Sequence, residues 1–255
     1  MFLRSGVSAE RRKLFNKIRL SAESHYAYLP RVRARPKSRW NFWLWLLAGV
    51  TVVVGAFFLD DRVSAAWDVT KNPSLNHFAW WCSKLGEGEI VGGAGILFAG
   101  IYFFMNRPRV AAGIFFVAGT ALLTGLAGTI LRVLVGRTRP GIHGPDGVVP
   151  GFYGVWHDGH WIIGKAAFSA FPSGHASVAV GLAAAAWLVH RGWGTVAAIY
   201  ALVVMWSRVA LQWHHLSDVL ASAVLAIPLA VLLKKFLATS VEFQFNNFYR
   251  AWKRK

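Results

Sequence analysis

Between Ser207 and Asp218 the chain reads SRVALQWHHLSD, which puts an arginine, two histidines and an aspartate within twelve residues. The stretch lies where one apolar segment ends and the next begins. Ionisable groups beside bilayer-length apolar runs are costly, so they read as functional. His214 and Asp218 are four apart, which on a helix sets one above the other on the same face. A carboxylate there accepts a proton from one imidazole nitrogen, fixing the tautomer and leaving the other nitrogen bare and nucleophilic. The spacing makes His214 a candidate nucleophile towards phosphorus.

Two further clusters complete such a site. In Arg132-x6-Arg139-Pro140 the seven-residue step is nearly two helical turns, so both guanidinium groups can point the same way. Guanidinium groups hold phosphate oxygens through paired, charge-assisted hydrogen bonds. The plainer alternative is snorkelling at a membrane interface. Phe171-Pro172-Ser173-Gly174-His175 reads as the opening of a helix. Proline suits a first turn, and glycine lets a ligand approach the backbone. Free N–H groups at a helix start, with the dipole behind them, attract an anion, and the Ser173 hydroxyl can add a donor. His175 then stands beside the bound group, where a protonated imidazole can give its proton to a leaving oxygen. A simple Ser-Gly cap with an interfacial histidine is the alternative. For the third cluster the rival is a metal held by His214, His215 and Asp218. Clustered arginines would repel that cation, and on a helix His215 points about 100° away from His214.

These groups need elements to hold them. The 255 residues are 55% hydrophobic and 15% charged, against about 25% charged in a soluble domain. With long apolar runs recurring, this predicts an all-α polytopic membrane helix bundle. Six transmembrane helices are expected, at about residues 42–59, 90–105, 110–135, 172–190, 195–211 and 217–237. A span needs roughly 20 residues to cross a core about 30 Å thick. Six spans put both termini on one side. Of the Lys and Arg residues, twenty fall on that side and eight on the other, so the termini are expected to be cytoplasmic. The expected organisation is a basic tail over 1–40, a membrane domain over 41–238 and a second basic tail over 239–255. The net charge of +17 crowds the ends, which the positive-inside rule explains without a nucleic-acid partner. Lone Cys82 excludes an internal disulfide. The first forty residues carry no apolar stretch of the kind a cleavable signal peptide needs. Residues 9–20 read either as a surface helix on an anionic leaflet or as a disordered tail.

Two loops face outward. The first contains an amphipathic piece, 75–85, with Trp80 and Trp81, expected as an interfacial helix. The second, 141–171, is rich in Gly, Pro and aromatic residues. Its His157, Asp158, His160 and Trp161 read as a solvated loop or as a lid over the site. Arg137 faces away from Arg139 on a helix and reads as a second anion contact or an anchor. Small residues such as Ala121-x3-Gly125 predict close helix packing.

The three clusters, in this order and at the outward ends of spans three to six, resemble the type 2 phosphatidic acid phosphatase superfamily of membrane lipid phosphatases. Its pattern is Lys-x6-Arg-Pro, then Pro-Ser-Gly-His, then Ser-Arg-x5-His-x3-Asp. The second and third motifs match in full and all spacings agree, with Arg132 in the usual lysine position. The resemblance implies that His214 forms a phosphohistidine, that Asp218 orients it, and that His175 is the general acid for the leaving lipid hydroxyl. It also implies that Arg132, Arg139, Ser173, Gly174 and Arg208 hold the phosphoryl oxygens, with no metal or other cofactor. The expected partners are a lipid phosphate substrate and membrane lipids. The expected home is a bacterial inner membrane, with the site on the periplasmic side. Two alternatives stand beside hydrolysis: transfer of the phosphate to another lipid hydroxyl, and a non-catalytic lipid-binding or transport protein.

Overall fold

The structure, a computed structural model, describes residues 41–253. The expected surface segment at 9–20 and the rest of the first tail lie outside the described residues. Eight α-helices follow in order: α1 Phe42–Phe57, α2 Asp60–Trp67, α3 Pro73–Lys84, α4 Gly88–Phe104, α5 Pro108–Val135, α6 Gly174–Val189, α7 Arg191–Ala210 and α8 Leu216–Trp252. A two-residue hairpin pairs Trp156–His157 with His160–Trp161. The chain is an all-α, multi-pass membrane protein.

A helix stands at each of the six expected spans. Three of them, α5, α7 and α8, are long and apolar enough to cross a membrane on their own. The pairs α1–α2 and α3–α4 qualify together, each bent at a short break, by 66° and 54°. Helix α6 is shorter, with 16 residues or about 24 Å at the helical rise. It is also the central helix, packed against α5, α7 and α8. The amphipathic piece in the first outer loop is α3, and α2 precedes it.

Small residues bring these helices together. A Cβ on Gly181 of α6 would lie 1.9 Å from Thr124 Oγ1 of α5, and one on Gly125 would lie 2.4 Å from Val178. At the same crossing the Thr124 hydroxyl donates to the Ser177 carbonyl at 2.9 Å. Between membrane helices, close van der Waals contact and such bonds are what hold a crossing together. The outer faces carry the opposite pattern. Leu44 and Leu47 on α1, Ile96 and Leu97 on α4, and Ile199 and Leu202 on α7 are all exposed. In water so much apolar surface would be a liability; towards hydrocarbon it is the expected face.

The last helix runs further than the expected sixth span. Beyond residue 237, α8 continues to Trp252 and packs on the α4–α5 corner. Phe103 meets Phe248, Tyr249 and Trp252, and Tyr249 donates to Asn106 at 2.9 Å. The segment read as a tail from 239 is therefore helix as far as Trp252. Its aromatic residues give it something to pack against.

Candidate active site

Helix α5 ends at Val135, three residues after Arg132. Gly136 takes a left-handed conformation (φ 59°), and its N–H caps the Arg132 carbonyl. A side chain at 136 would strike the Gly154 carbonyl, because the outer loop folds back over the helix end. Arg139 therefore lies beyond the helix, not two turns along it as the spacing suggested. The loop places it instead: Arg139 N–H donates to Ala167 O at 2.9 Å, and Ala170 N–H to Arg137 O at 3.0 Å.

Ser173 is the N-cap of α6, and its Oγ accepts from Ala176 N. Its carbonyl accepts from Ser222 Oγ of α8 at 2.9 Å, which ties the two helix starts together. Gly174 leaves room for Arg132; a Cβ there would sit 3.4 Å from Arg132 Nη1. Beyond α7 the chain reverses through Gln212, a non-glycine residue at φ 58°. That conformation is strained, and the Gln212 amide holds it by donating to Ser64 O at 2.8 Å. The turn delivers Trp213, His214 and His215 into the site.

His214 is completely buried, and it precedes the N-cap of α8 instead of lying on a helix with Asp218. Its Nδ1 is 2.7 Å from Ala170 O and 3.7 Å from Asp218 Oδ2. A carbonyl only accepts, so Nδ1 carries the hydrogen and Nε2 is bare. Nε2 has no hydrogen-bond partner among the described residues. The tautomer matches the one expected, but a backbone carbonyl sets it and not the carboxylate. Burial lowers the imidazole pKa to about 3, with Asp218 opposing the shift and Arg208 adding to it. The ring is therefore neutral at ordinary pH, as a nucleophile must be.

Both oxygens of Asp218 are engaged elsewhere. Oδ2 accepts from His215 N–H at 2.7 Å, closing a capping box at the start of α8. Oδ1 takes the Arg137 guanidinium. Arg137 also donates to Asp60 Oδ2 at 2.8 Å and to Ser217 Oγ at 2.6 Å, and Asp60 accepts from Ser217 N at 2.9 Å. Asp60–Arg137–Asp218 is thus a buried, fully bonded charge chain from α2 to α8. One reading changes here: Arg137 is neither an anion contact nor an interface anchor. His215, which the spacing set apart from His214, is a capping residue.

The other three arginines are bonded far less. Arg132 Nε, Arg139 Nε and Nη1, and Arg208 Nε are buried without a hydrogen-bond partner among the described residues. Arg208 Nη1 donates to Ser83 Oγ of α3 at 2.5 Å. Trp213 lies under two of the guanidinium groups, 4.4 Å from Arg139 Cζ and 5.5 Å from Arg208 Cζ. Arg139 feels the charge of Arg132, Arg208 feels that of both, and His175 feels all three together with His214. A cavity of about 260 Å³ opens beside Arg132, lined also by Gly174 and His175 and by the apolar Leu122, Leu126 and Val178. Clustered, desolvated guanidinium groups with free donors are the chemistry of an anion site.

The PAP2 superfamily model matches residues 113–242, half of the chain and all three clusters. The chain belongs to the PAP2 superfamily. Among solved structures, it is similar to the first transmembrane PAP2 type phosphatidylglycerolphosphate phosphatase from Bacillus subtilis, at 21% identity and a TM-score of 0.51. That match covers 76% of this chain and 93% of the other. LpxE from Aquifex aeolicus matches at 16% identity and a TM-score of 0.47, over 70% of this chain and 96% of that one. Among curated proteins no match is found.

Within this PAP2 chain the structure brings His214, His175, Asp218, Ser173, Gly174, Arg132, Arg139 and Arg208 to one end of the bundle. His157, Asp158, His160 and Trp161 form the small hairpin instead. There His157 pairs with Asp158 at 3.3 Å and packs on Tyr153 and Phe168. Among the described residues no group of three or more His, Cys, Asp or Glu is arranged to hold a metal. Asp60, Ser83, Ala170 and Trp213 were not singled out from the sequence. Asp60 carried a usable signal, an acidic residue at the end of an apolar span. A backbone carbonyl such as that of Ala170 carries none.

Proposed function

We propose that this chain is an integral membrane phosphatase that removes the terminal phosphate of a lipid phosphate or diphosphate through a phosphohistidine at His214. The observation that carries this reading is the set of buried nitrogens without partners: those of Arg132, Arg139 and Arg208, and Nε2 of His214. Leaving one buried charge unpaired costs several kcal/mol, so three together imply a dianionic ligand. A phosphoryl group fits the guanidinium forks, and a nucleophile beside it completes the requirement.

In the first step Nε2 of His214 bonds to phosphorus, the ester P–O bond breaks, and His175 gives its proton to the leaving lipid oxygen. Arg132, Arg139 and Arg208 hold the phosphoryl oxygens, with the start of α6 at Ser173 and Gly174 beside them. In the second step water attacks phosphorus, its proton passes to His175, and the P–N bond breaks to release phosphate. Asp218 acts as a fixed negative charge near His214, held by Arg137. Positioning and fixed charge do most of the work in phosphoryl transfer.

The accompanying topology is six crossings, with both basic tails in the cytoplasm and the site on the periplasmic face of a bacterial inner membrane. Lipid enters sideways along the cavity beside α5 and α6. The test is phosphate release from phosphatidate, phosphatidylglycerol phosphate, a polyprenyl diphosphate and a lipid A phosphate by detergent-purified protein, with EDTA present. Release from at least one lipid, equal to the lipid consumed and absent in His214→Ala, is expected. Loss of release with EDTA, or full activity in His214→Ala, would overturn the mechanism.

A further inference from the structure

The elbow between α3 and α4, Ser83 to Gly88, belongs to none of the three sequence clusters, yet it is built into the site. Two contacts with α7 hold it there: Arg208 donates to Ser83 Oγ at 2.5 Å, and Tyr200 OH donates to Leu85 O at 2.6 Å. Within the elbow Lys84 Nζ pairs with Glu87 Oε1 at 2.7 Å. Gly86 permits the approach. A Cβ there would lie 2.6 Å from Val204 Cγ1 and 3.3 Å from His175 Cβ. The elbow thus lies directly on the first turn of α6, and it places Glu87 Oε1 4.0 Å from His175 Nε2. Gly86 and Gly88 line the same cavity as His175 and Arg132.

Charge gives this placement its meaning. The charged and titratable groups acting on His175 are Arg208 from α7, His214 from the following turn, Arg132 from α5 and Arg139 from the loop after it. Lys84 is paired with Glu87. Every arginine that grips a phosphate also discourages a proton on the neighbouring imidazole. A general acid needs that proton. Glu87 is the one carboxylate that reaches this ring among the described residues, and it also acts on Arg208.

We propose that Glu87 is a positioning residue for the general acid: its carboxylate, 4.0 Å from His175 Nε2 and too far for a hydrogen bond, favours the proton on that nitrogen electrostatically and leaves the N–H free to go to the leaving oxygen. This rests on the phosphatase reading above. In the first step the proton moves from His175 to the lipid oxygen as the P–O bond breaks. In the second the ring regains a proton from the attacking water. Glu87 exchanges no proton in either step.

The experiment compares kcat for dioctanoyl phosphatidate, whose alkoxide leaves poorly, with kcat for 4-nitrophenyl phosphate, whose phenolate leaves without a proton. The proteins are the full-length wild type, Glu87→Gln, Glu87→Asp, Lys84→Ala and His214→Ala. Wild-type turnover that His214→Ala removes upholds the phosphatase reading independently of Glu87. Given that, Glu87→Gln should lower kcat for the phosphatidate about 10-fold more than for the aryl ester, a modest part of what a general acid supplies. Its alkaline pH limb should move to lower pH. Glu87→Asp should recover part of the difference, and Lys84→Ala should keep the wild-type ratio. Equal losses on both substrates, no loss on either, or the same pattern from Lys84→Ala would make Glu87 a helix cap or an ion-pair partner and overturn the proposal. Wild-type protein inert on both esters would overturn it together with the reading on which it rests.

Discussion

At the scale of single residues, two kinds of arginine stand out at one end of this bundle. Arg137 satisfies two buried carboxylates and one hydroxyl, with its guanidinium over Phe57 and Phe152. Arg132, Arg139 and Arg208 keep buried nitrogens without partners among the described residues. The first is cement; the others, under the proposed function, are the phosphate grip. Arg137→Leu would leave Asp60 and Asp218 charged, buried and unpaired, and should destabilise the protein by about 3–5 kcal/mol. Arg137→Lys should recover little of this, because a point charge cannot bridge two carboxylates as a fork does. Urea unfolding of both variants in detergent checks this, and near-wild-type stability in Arg137→Leu would remove the charge chain from the account. The groups that gather at this end of the bundle could be picked out in the sequence because ionisable residues are rare in apolar runs. Their wiring was not. Nothing in a string of letters says that the Ala170 carbonyl, and not Asp218, takes the His214 hydrogen, or that Arg137 points towards Asp60, seventy-seven residues earlier.

At the scale of elements, the site hangs on the crossing of α5 and α6, since these helices carry Arg132 and the Ser173–His175 turn. Gly181 allows that crossing by leaving Thr124 its room. Gly181→Val should push the helices apart and cost about 1–3 kcal/mol, the range for overpacking a tight contact. The thermal midpoint should fall, and phosphate release should fall with it because Arg132 moves relative to His175. A midpoint equal to that of the wild type would show that the crossing yields without cost. Helix positions were readable because each span is a long apolar run. Helix ends were less so. Gly136 stops α5 before Arg139 through a loop contact from Gly154, while aromatic residues on α4 draw α8 on past its apolar stretch.

At the scale of the whole molecule, the charge asymmetry of the sequence and the clustering of the site give the chain a direction. If the basic ends are cytoplasmic, a fluorescent protein fused to the C-terminus, of a kind that matures only in the cytoplasm, should fluoresce in bacterial cells. Alkaline phosphatase at the same position should stay inactive. The opposite pair of results would reverse the proposed orientation and put the site on the cytoplasmic face. The bends within α1–α2 and α3–α4 were invisible to hydropathy, which registers apolar length but not direction. Both matter here, because α2 supplies Asp60 and the α3–α4 elbow supplies Ser83 and Glu87.

The unpartnered guanidinium nitrogens have one more consequence. Under the proposed reaction they grip the part of the substrate that survives it, since inorganic phosphate presents the same oxygens as the ester it came from. Under the proposed reaction the pocket does not distinguish what it takes in from what it must let go. Turnover is then throttled by its own product, and the enzyme runs fastest where free phosphate is scarce.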